Sequence, residues 1–166
     1  MGGVMIWKSR NWVFPRVFIC LVMALWTTGC AQVDSAAQDD EVVIELTNVD
    51  STAWMVTRAD VTGIAELDVH NPVVTLTVGT RYRFVNRGTL AIHPLAIRGN
   101  DGEPVLGQRP NERPFERDPG VAFKADDEGV AFTLTEALAA VVRTYYCTAH
   151  PTPLMEGTLK VQLPTD

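Results

Sequence analysis

Cysteine and histidine are both scarce in this sequence, since the 166 residues include only three of each. Cys20 and Cys30 fall in the first thirty residues, which leaves Cys147 as the single thiol of residues 31–166. No disulfide framework can form within that part of the chain. A lone thiol in an oxidising compartment is a liability unless something occupies it, and a bound metal ion would do so. The plainer alternative is a buried, inert cysteine.

Long apolar runs are also missing. The apolar run 17–26 has ten residues, well short of the ~20 that a membrane-spanning helix needs. Lys8, Arg10 and Arg16 precede it without any acidic residue, and small residues follow it up to Ala31. This order is typical of a secretory signal. We therefore expect residues 1–30 to be a signal segment and the remaining chain to be exported, to a periplasm or a cell surface.

The end of this segment offers two modes of processing. Thr27-Thr28-Gly29-Cys30 resembles a bacterial lipobox, in which the cysteine is lipidated, although Thr27 stands where leucine is usual. Lipidation at Cys30 would give the protein a membrane contact through its lipid alone. Ordinary cleavage after Ala31 is the alternative. Residues 31–40 are small and polar without apolar periodicity, which predicts a flexible tether.

Positive charge is in short supply beyond the signal segment. Removing its three basic residues from a formal charge of −6 leaves −9 for residues 31–166. An acidic domain disfavours nucleic acid and anionic membrane surfaces as partners. It favours solubility, and it suits a basic docking partner such as a cytochrome.

No long amphipathic helix pattern occurs in residues 41–166, where short β-rich runs alternate with turn residues. Apolar Leu76, Tyr82 and Phe84 alternate with polar neighbours, as in strands with one buried face. Such runs predict an all-β, antiparallel Greek-key sandwich of about eight strands: 42–46, 54–57, 73–78, 81–85, 93–97, 129–134, 142–147 and 157–163. We also expect a turn at 100–103, a proline-rich surface loop at 108–120 and a helical turn at 135–140.

The clearest chemical motif lies near the end of the chain. Cys147 is followed by His150 and Met155, and His93 lies upstream. A thiolate suits Cu(I), imidazoles suit both copper oxidation states, and a weakly bound thioether tunes the potential. Taken alone, His93 is compatible with a histidine that packs in the core, and Met155 with a methionine that fills a gap there. Taken together, the four residues predict a blue-copper site.

The spacing Cys-x2-His-x4-Met resembles the ligand loop of the cupredoxins in its plastocyanin-like length, and His93 stands where that family places its first ligand. The resemblance covers roughly residues 71–163, including the glycine at 157. It implies the Greek-key sandwich and one type 1 copper ion. The chain departs from the family at Pro94, where many members carry an asparagine that buttresses the ligand loop. Gly88, ahead of His93, is expected to adopt an unusual backbone angle.

These features predict an exported electron-transfer protein that is not an enzyme and passes single electrons between redox partners, such as a cytochrome or a membrane oxidoreductase. A copper-handling module without fast electron transfer shares every ligand and is the alternative. Multicopper enzymes need additional copper ions bound by His-x-His pairs. The sequence has only one further histidine, His70, which we expect in a solvated turn, so it does not match that class. A hydrolase using Cys147 as nucleophile would leave Met155 unexplained.

Overall fold

The computed structural model describes residues 41–150 and 153–165. These residues form ten β-strands, most of which coincide with the alternating apolar runs, and one short α-helix. The helix is α1 (Glu136–Ala139). The strands are β1 (Val42–Val49), β2 (Ala53–Ala59), β3 (Val74–Thr77), β4 (Arg81–Asn86), β5 (Leu95–Gly99), β6 (Pro104–Gly107), β7 (Lys124–Asp126), β8 (Gly129–Thr133), β9 (Val142–Cys147) and β10 (Glu156–Gln162).

The strands divide equally between two sheets. The first has the order β2-β1-β4-β8-β7, and the second has the order β3-β10-β9-β5-β6. Pairing is antiparallel except between β1 and β4 and between β3 and β10. Because the chain crosses repeatedly from one sheet to the other, the sheets form a sandwich rather than a simple meander.

The core lies between the sheets and is built from the inward side of each strand. In β3 and β4 the residues Leu76, Tyr82 and Phe84 are buried, as their alternation predicts. Phe84 stacks on Phe132 within the first sheet at a centroid distance of 5.8 Å. It also lies 6.4 Å from the ring of Tyr145 in the second sheet. These aromatic contacts join the two sheets through their largest side chains.

The all-β sandwich class is confirmed, but the strands number ten rather than eight, and each sheet is mixed rather than purely antiparallel because it contains one parallel pair. The additional strands, β6 and β7, have only four and three residues. Strand β5 begins at Leu95 instead of His93, and the helical turn before β9 is present as α1. Part of the expected surface loop forms a single 3-10 turn at Pro114–Glu116.

The predicted signal segment, the lipidation site Cys30 and the tether at 31–40 lie outside the described residues. Within the described part of the chain, no helix combines the length and the apolar character needed to cross a membrane.

Candidate metal centre

The predicted ligands lie at or near the ends of three neighbouring strands of the second sheet. Cys147 is the last residue of β9, and Met155 immediately precedes β10. His93 lies two residues before β5, whose first residue Leu95 pairs with Cys147. Since β9 runs antiparallel to both neighbours, its end and their beginnings meet at one edge of the sheet.

At this edge, Cys147 and the two histidines form a compact cluster. The Cys147 Sγ lies 3.9 Å from Nδ1 of His93 and 3.3 Å from Nδ1 of His150. All three atoms lie within 4.8 Å of one another. The imidazole rings are stacked, with centroids 4.7 Å apart. His93 and Cys147 are buried and His150 is half-buried, so the group can hold a metal ion.

Burial shifts the pKa values of the two buried residues of the cluster, Cys147 and His93, in opposite directions. Burial raises the pKa of the Cys147 thiol, while the N–H groups of Ala149 and His150 and the charge of Arg109 act in the opposite direction. Burial, together with the proximity of His150, lowers the pKa of His93. The neutral forms of both groups are therefore favoured. A cation would change this balance at Cys147, because a metal-bound cysteine is a thiolate.

Met155 is joined to the cluster through the backbone. Its carbonyl accepts a hydrogen bond from the Cys147 N–H at 3.0 Å. The residue is only 1% exposed and belongs to the same buried apolar cluster as Cys147. The structure therefore places all four predicted residues close together. The donor atoms of His93, Cys147 and His150 are near one another, and Met155 is connected to Cys147 by a main-chain hydrogen bond.

The segment before Met155 is tied to the opposite sheet by Asn71. The Asn71 Nδ2 donates to the Leu154 carbonyl at 2.7 Å, and its Oδ1 accepts from the Trp54 N–H at 2.9 Å. Trp54 itself is fully buried, and its ring lies edge-on to His93 at 6.4 Å. Trp54 therefore packs against the ring of His93 and covers one side of the cluster.

Two residues in the surroundings of His93, Gly88 and Gln108, differ from the sequence expectations. Gly88 does not have a positive φ; instead, a Cβ there would lie 2.9 Å from Oδ1 of both Asn48 and Asn86. Close packing rather than backbone conformation thus accounts for glycine at this position. Gln108, predicted to begin a surface loop, is 4% exposed. Its burial was not foreseeable, because a glutamine ahead of a proline-rich stretch usually lies in a surface loop.

His70 lies apart from the cluster. It is exposed, as expected, but it forms an isolated β-bridge with Met55 instead of lying in a turn. The group that could hold a metal ion in the described part of the chain consists of His93, Cys147 and His150 and does not include His70.

Comparisons with known proteins do not assign the chain to a family. No protein-family model matches it, and no curated protein matches it.

Proposed function

We propose that this protein binds one copper ion through His93, Cys147 and His150, with Met155 as a weak axial ligand, and transfers single electrons. The observation that carries the proposal is the convergence of one sulfur and two imidazole nitrogens within 4.8 Å at a largely buried site. This group, at the ends of two adjacent strands, already places its donor atoms close enough together to receive a metal ion.

The chemistry of the donors favours copper over other metals. Oxygen-preferring ions such as Mg²⁺ and Ca²⁺ are poorly served by a thiol and two imidazoles. Zinc accepts such ligands, but a neighbouring thioether adds nothing that zinc requires, whereas it suits Cu(I). The set of His93, Cys147, His150 and Met155 therefore fits a type 1 copper site best.

Copper held at this site would supply one-electron chemistry by alternating between its cuprous and cupric states. The contribution of the chain is to fix the donor atoms. Cys147 is held by its strand pairing with Leu95 and by its hydrogen bond to Met155. His93 is held among buried groups, and half-buried His150 lies nearer the solvent. A rigid set of ligands limits the rearrangement that accompanies each change of charge.

We propose an electron carrier rather than an enzyme. With Met155 as the fourth donor, the coordination positions are filled by protein side chains and none is open to a substrate. We further propose that the domain functions outside the cytoplasm, either free or held by a lipid at Cys30. Its partners would be redox proteins, and a basic docking surface on a cytochrome would complement its acidic charge.

The proposal is tested by titrating the metal-free protein with Cu(II) and recording the visible absorption spectrum. We expect an intense thiolate-to-copper charge-transfer band that saturates at one equivalent and bleaches with ascorbate. Cys147→Ser should abolish the band, because the charge transfer originates on its sulfur. Met155→Gln should retain the band and lower the reduction potential, since an amide oxygen stabilises Cu(I) less well than a thioether. An intense band that survives in Cys147→Ser would refute the site.

A further inference from the structure

Gln108 is a buried amide whose hydrogen-bonding capacity is fully used. Its Nε2 donates to the carbonyl of Asp126, the last residue of β7, at 3.1 Å and to that of Asp127, in the turn that follows, at 3.0 Å. Its Oε1 accepts from Asn86 Nδ2 at 2.8 Å and from the Leu95 N–H at 3.2 Å. One side chain thus links a turn of the first sheet to the start of β5 in the second.

The two groups that donate to the Gln108 Oε1 are both connected to the segment that contains His93: Leu95 belongs to it, and Asn86 is hydrogen-bonded to it. Asn86, which is 5% exposed, also donates through Nδ2 to the His93 carbonyl at 2.7 Å. The Gln108 N–H donates to the Leu95 carbonyl at 2.8 Å, so Gln108 contacts Leu95 through both main chain and side chain. The backbone on either side of Pro94 is therefore held by the same two amides.

Pro94 explains why such support is needed. Proline has no N–H, so the centre of this three-residue segment cannot donate a hydrogen bond to a neighbour. The remaining polar groups are all paired: the His93 N–H donates to the Thr89 carbonyl at 2.7 Å, and the Pro94 carbonyl accepts from the Thr148 N–H at 3.0 Å. Without Gln108 and Asn86, the His93 carbonyl and the Leu95 N–H would be buried without partners.

From these contacts we infer that Gln108 and Asn86 are positioning residues for the metal site: together they fix the His93 segment, and Gln108 anchors it to the opposite sheet. The effect that we expect on the metal site rests on the proposed copper function. The hydrogen bonds that define it, however, belong to the protein alone and can be examined without metal.

The test compares Gln108→Met, which removes both the donor and the acceptor of the side-chain amide, with Gln162→Met. Gln162 is a matched control, because it is exposed near the far end of β10 and its Nε2 donates to Thr77 Oγ1 at 3.0 Å. Amide hydrogen exchange is measured on the metal-free full chain. In Gln108→Met the Leu95 amide should exchange about tenfold faster, while Ile97 in the middle of β5 is unchanged.

The second measurement is the visible spectrum after addition of Cu(II). Gln108→Met should shift or weaken the charge-transfer band, whereas Gln162→Met should resemble the wild type. A wild-type spectrum and wild-type Leu95 exchange in a folded Gln108→Met would overturn the inference. Equal acceleration at Leu95 and Ile97 would also overturn it, because that pattern indicates general loosening of the strand.

If Gln108→Met does not fold, Asn86→Asp replaces it, since this change removes the Nδ2 donor while keeping the size of the side chain. An altered band in Asn86→Asp with a normal band in Gln162→Met would support the inference, and normal bands in both would overturn it. A wild-type protein without any band would refute the copper proposal instead. The exchange measurement on metal-free protein keeps the two failures distinct.

Discussion

The two buried residues of the candidate site, His93 and Cys147, differ in whether they must lose a proton before they can bind a metal. Burial favours the protonated thiol at Cys147 and the unprotonated imidazole at His93. His93 is thus ready to bind at neutral pH, whereas Cys147 must first lose its proton. The metal affinity should consequently depend on pH through the thiol.

The predicted pH dependence can be measured with Zn(II), which has no redox chemistry of its own. Between about pH 7 and pH 8, where an ordinary imidazole is already neutral, binding should release about one proton per ion. The affinity should then rise about tenfold per pH unit. Calorimetry in buffers of different ionisation enthalpy gives the proton count. Affinity that does not change with pH would contradict the prediction, and Cys147→Ser should lack this proton release.

The three strands next to the candidate metal centre, β5, β9 and β10, are joined by side chains as well as by backbone pairing. Arg98 of β5 donates to Glu156 of β10 at 3.1 Å, and its guanidinium lies 3.9 Å from the ring centroid of Tyr146 in β9. Thr144 of β9 also donates to Glu156, at 2.7 Å. This cluster holds the three strands together just behind the site, where Tyr146 and Glu156 adjoin Cys147 and Met155.

Gly157 shows how closely β9 and β10 are packed. It pairs with Tyr145, and a Cβ at this position would lie 2.1 Å from Cζ of the Tyr145 ring. That ring is fully buried and its hydroxyl donates to the Pro72 carbonyl at 2.7 Å, so it has little room to move. Glycine at 157 is therefore required by space, which gives a physical reason for the glycine that follows the predicted axial methionine.

Gly157→Ala should lower the free energy of unfolding by about 3 kcal/mol, because the added methyl group displaces a buried aromatic ring. Thr158→Ala, at the next and exposed position of β10, should change it by less than about 0.5 kcal/mol. Urea denaturation of the metal-free proteins gives both values. Equal stability of the two variants would show that Tyr145 can move away without cost.

The sequence predicts some elements better than others, for physical reasons. Strands β3 and β4 follow from their alternation, because one buried face imposes a period of two. Strands β6 and β7 are too short to show a period, so the sequence gives no local indication of them. His93, Cys147 and His150 were recognisable from donor chemistry, whereas the role of Gln108 depends on contacts with distant residues that no local pattern reveals.

The stability of the whole domain should depend on pH through carboxylates paired with arginine. Hydrogen bonds from Arg83 hold the pKa of Asp126 below its usual value, and the N–H groups of Glu128 and Gly129 contribute further. A carboxyl group with a lowered pKa in the folded state stabilises the protein above its unfolded pKa. This stabilisation is lost as the pH falls through the folded value. The affected window therefore lies below about pH 4.

Asp126→Asn should reduce the free energy of unfolding by at most about 1 kcal/mol at pH 7, since the Asp126 side chain is 51% exposed and solvent screens its ion pair. The difference from the wild type should vanish in strong acid, where Asp126 is protonated. Asp127→Asn removes the same charge from the adjacent exposed residue and serves as the control. A deficit in Asp126→Asn that persists unchanged in acid would show that its cause is packing rather than charge.

The central claim is that copper stays bound while single electrons pass, and cyclic voltammetry of the copper-loaded full chain with a Cu(I) chelator in solution tests it most directly. We predict a reversible one-electron wave that persists through repeated cycles, with the copper retained by the protein. Irreversible reduction, with transfer of Cu(I) to the chelator, would contradict electron transfer and indicate a copper-handling module instead.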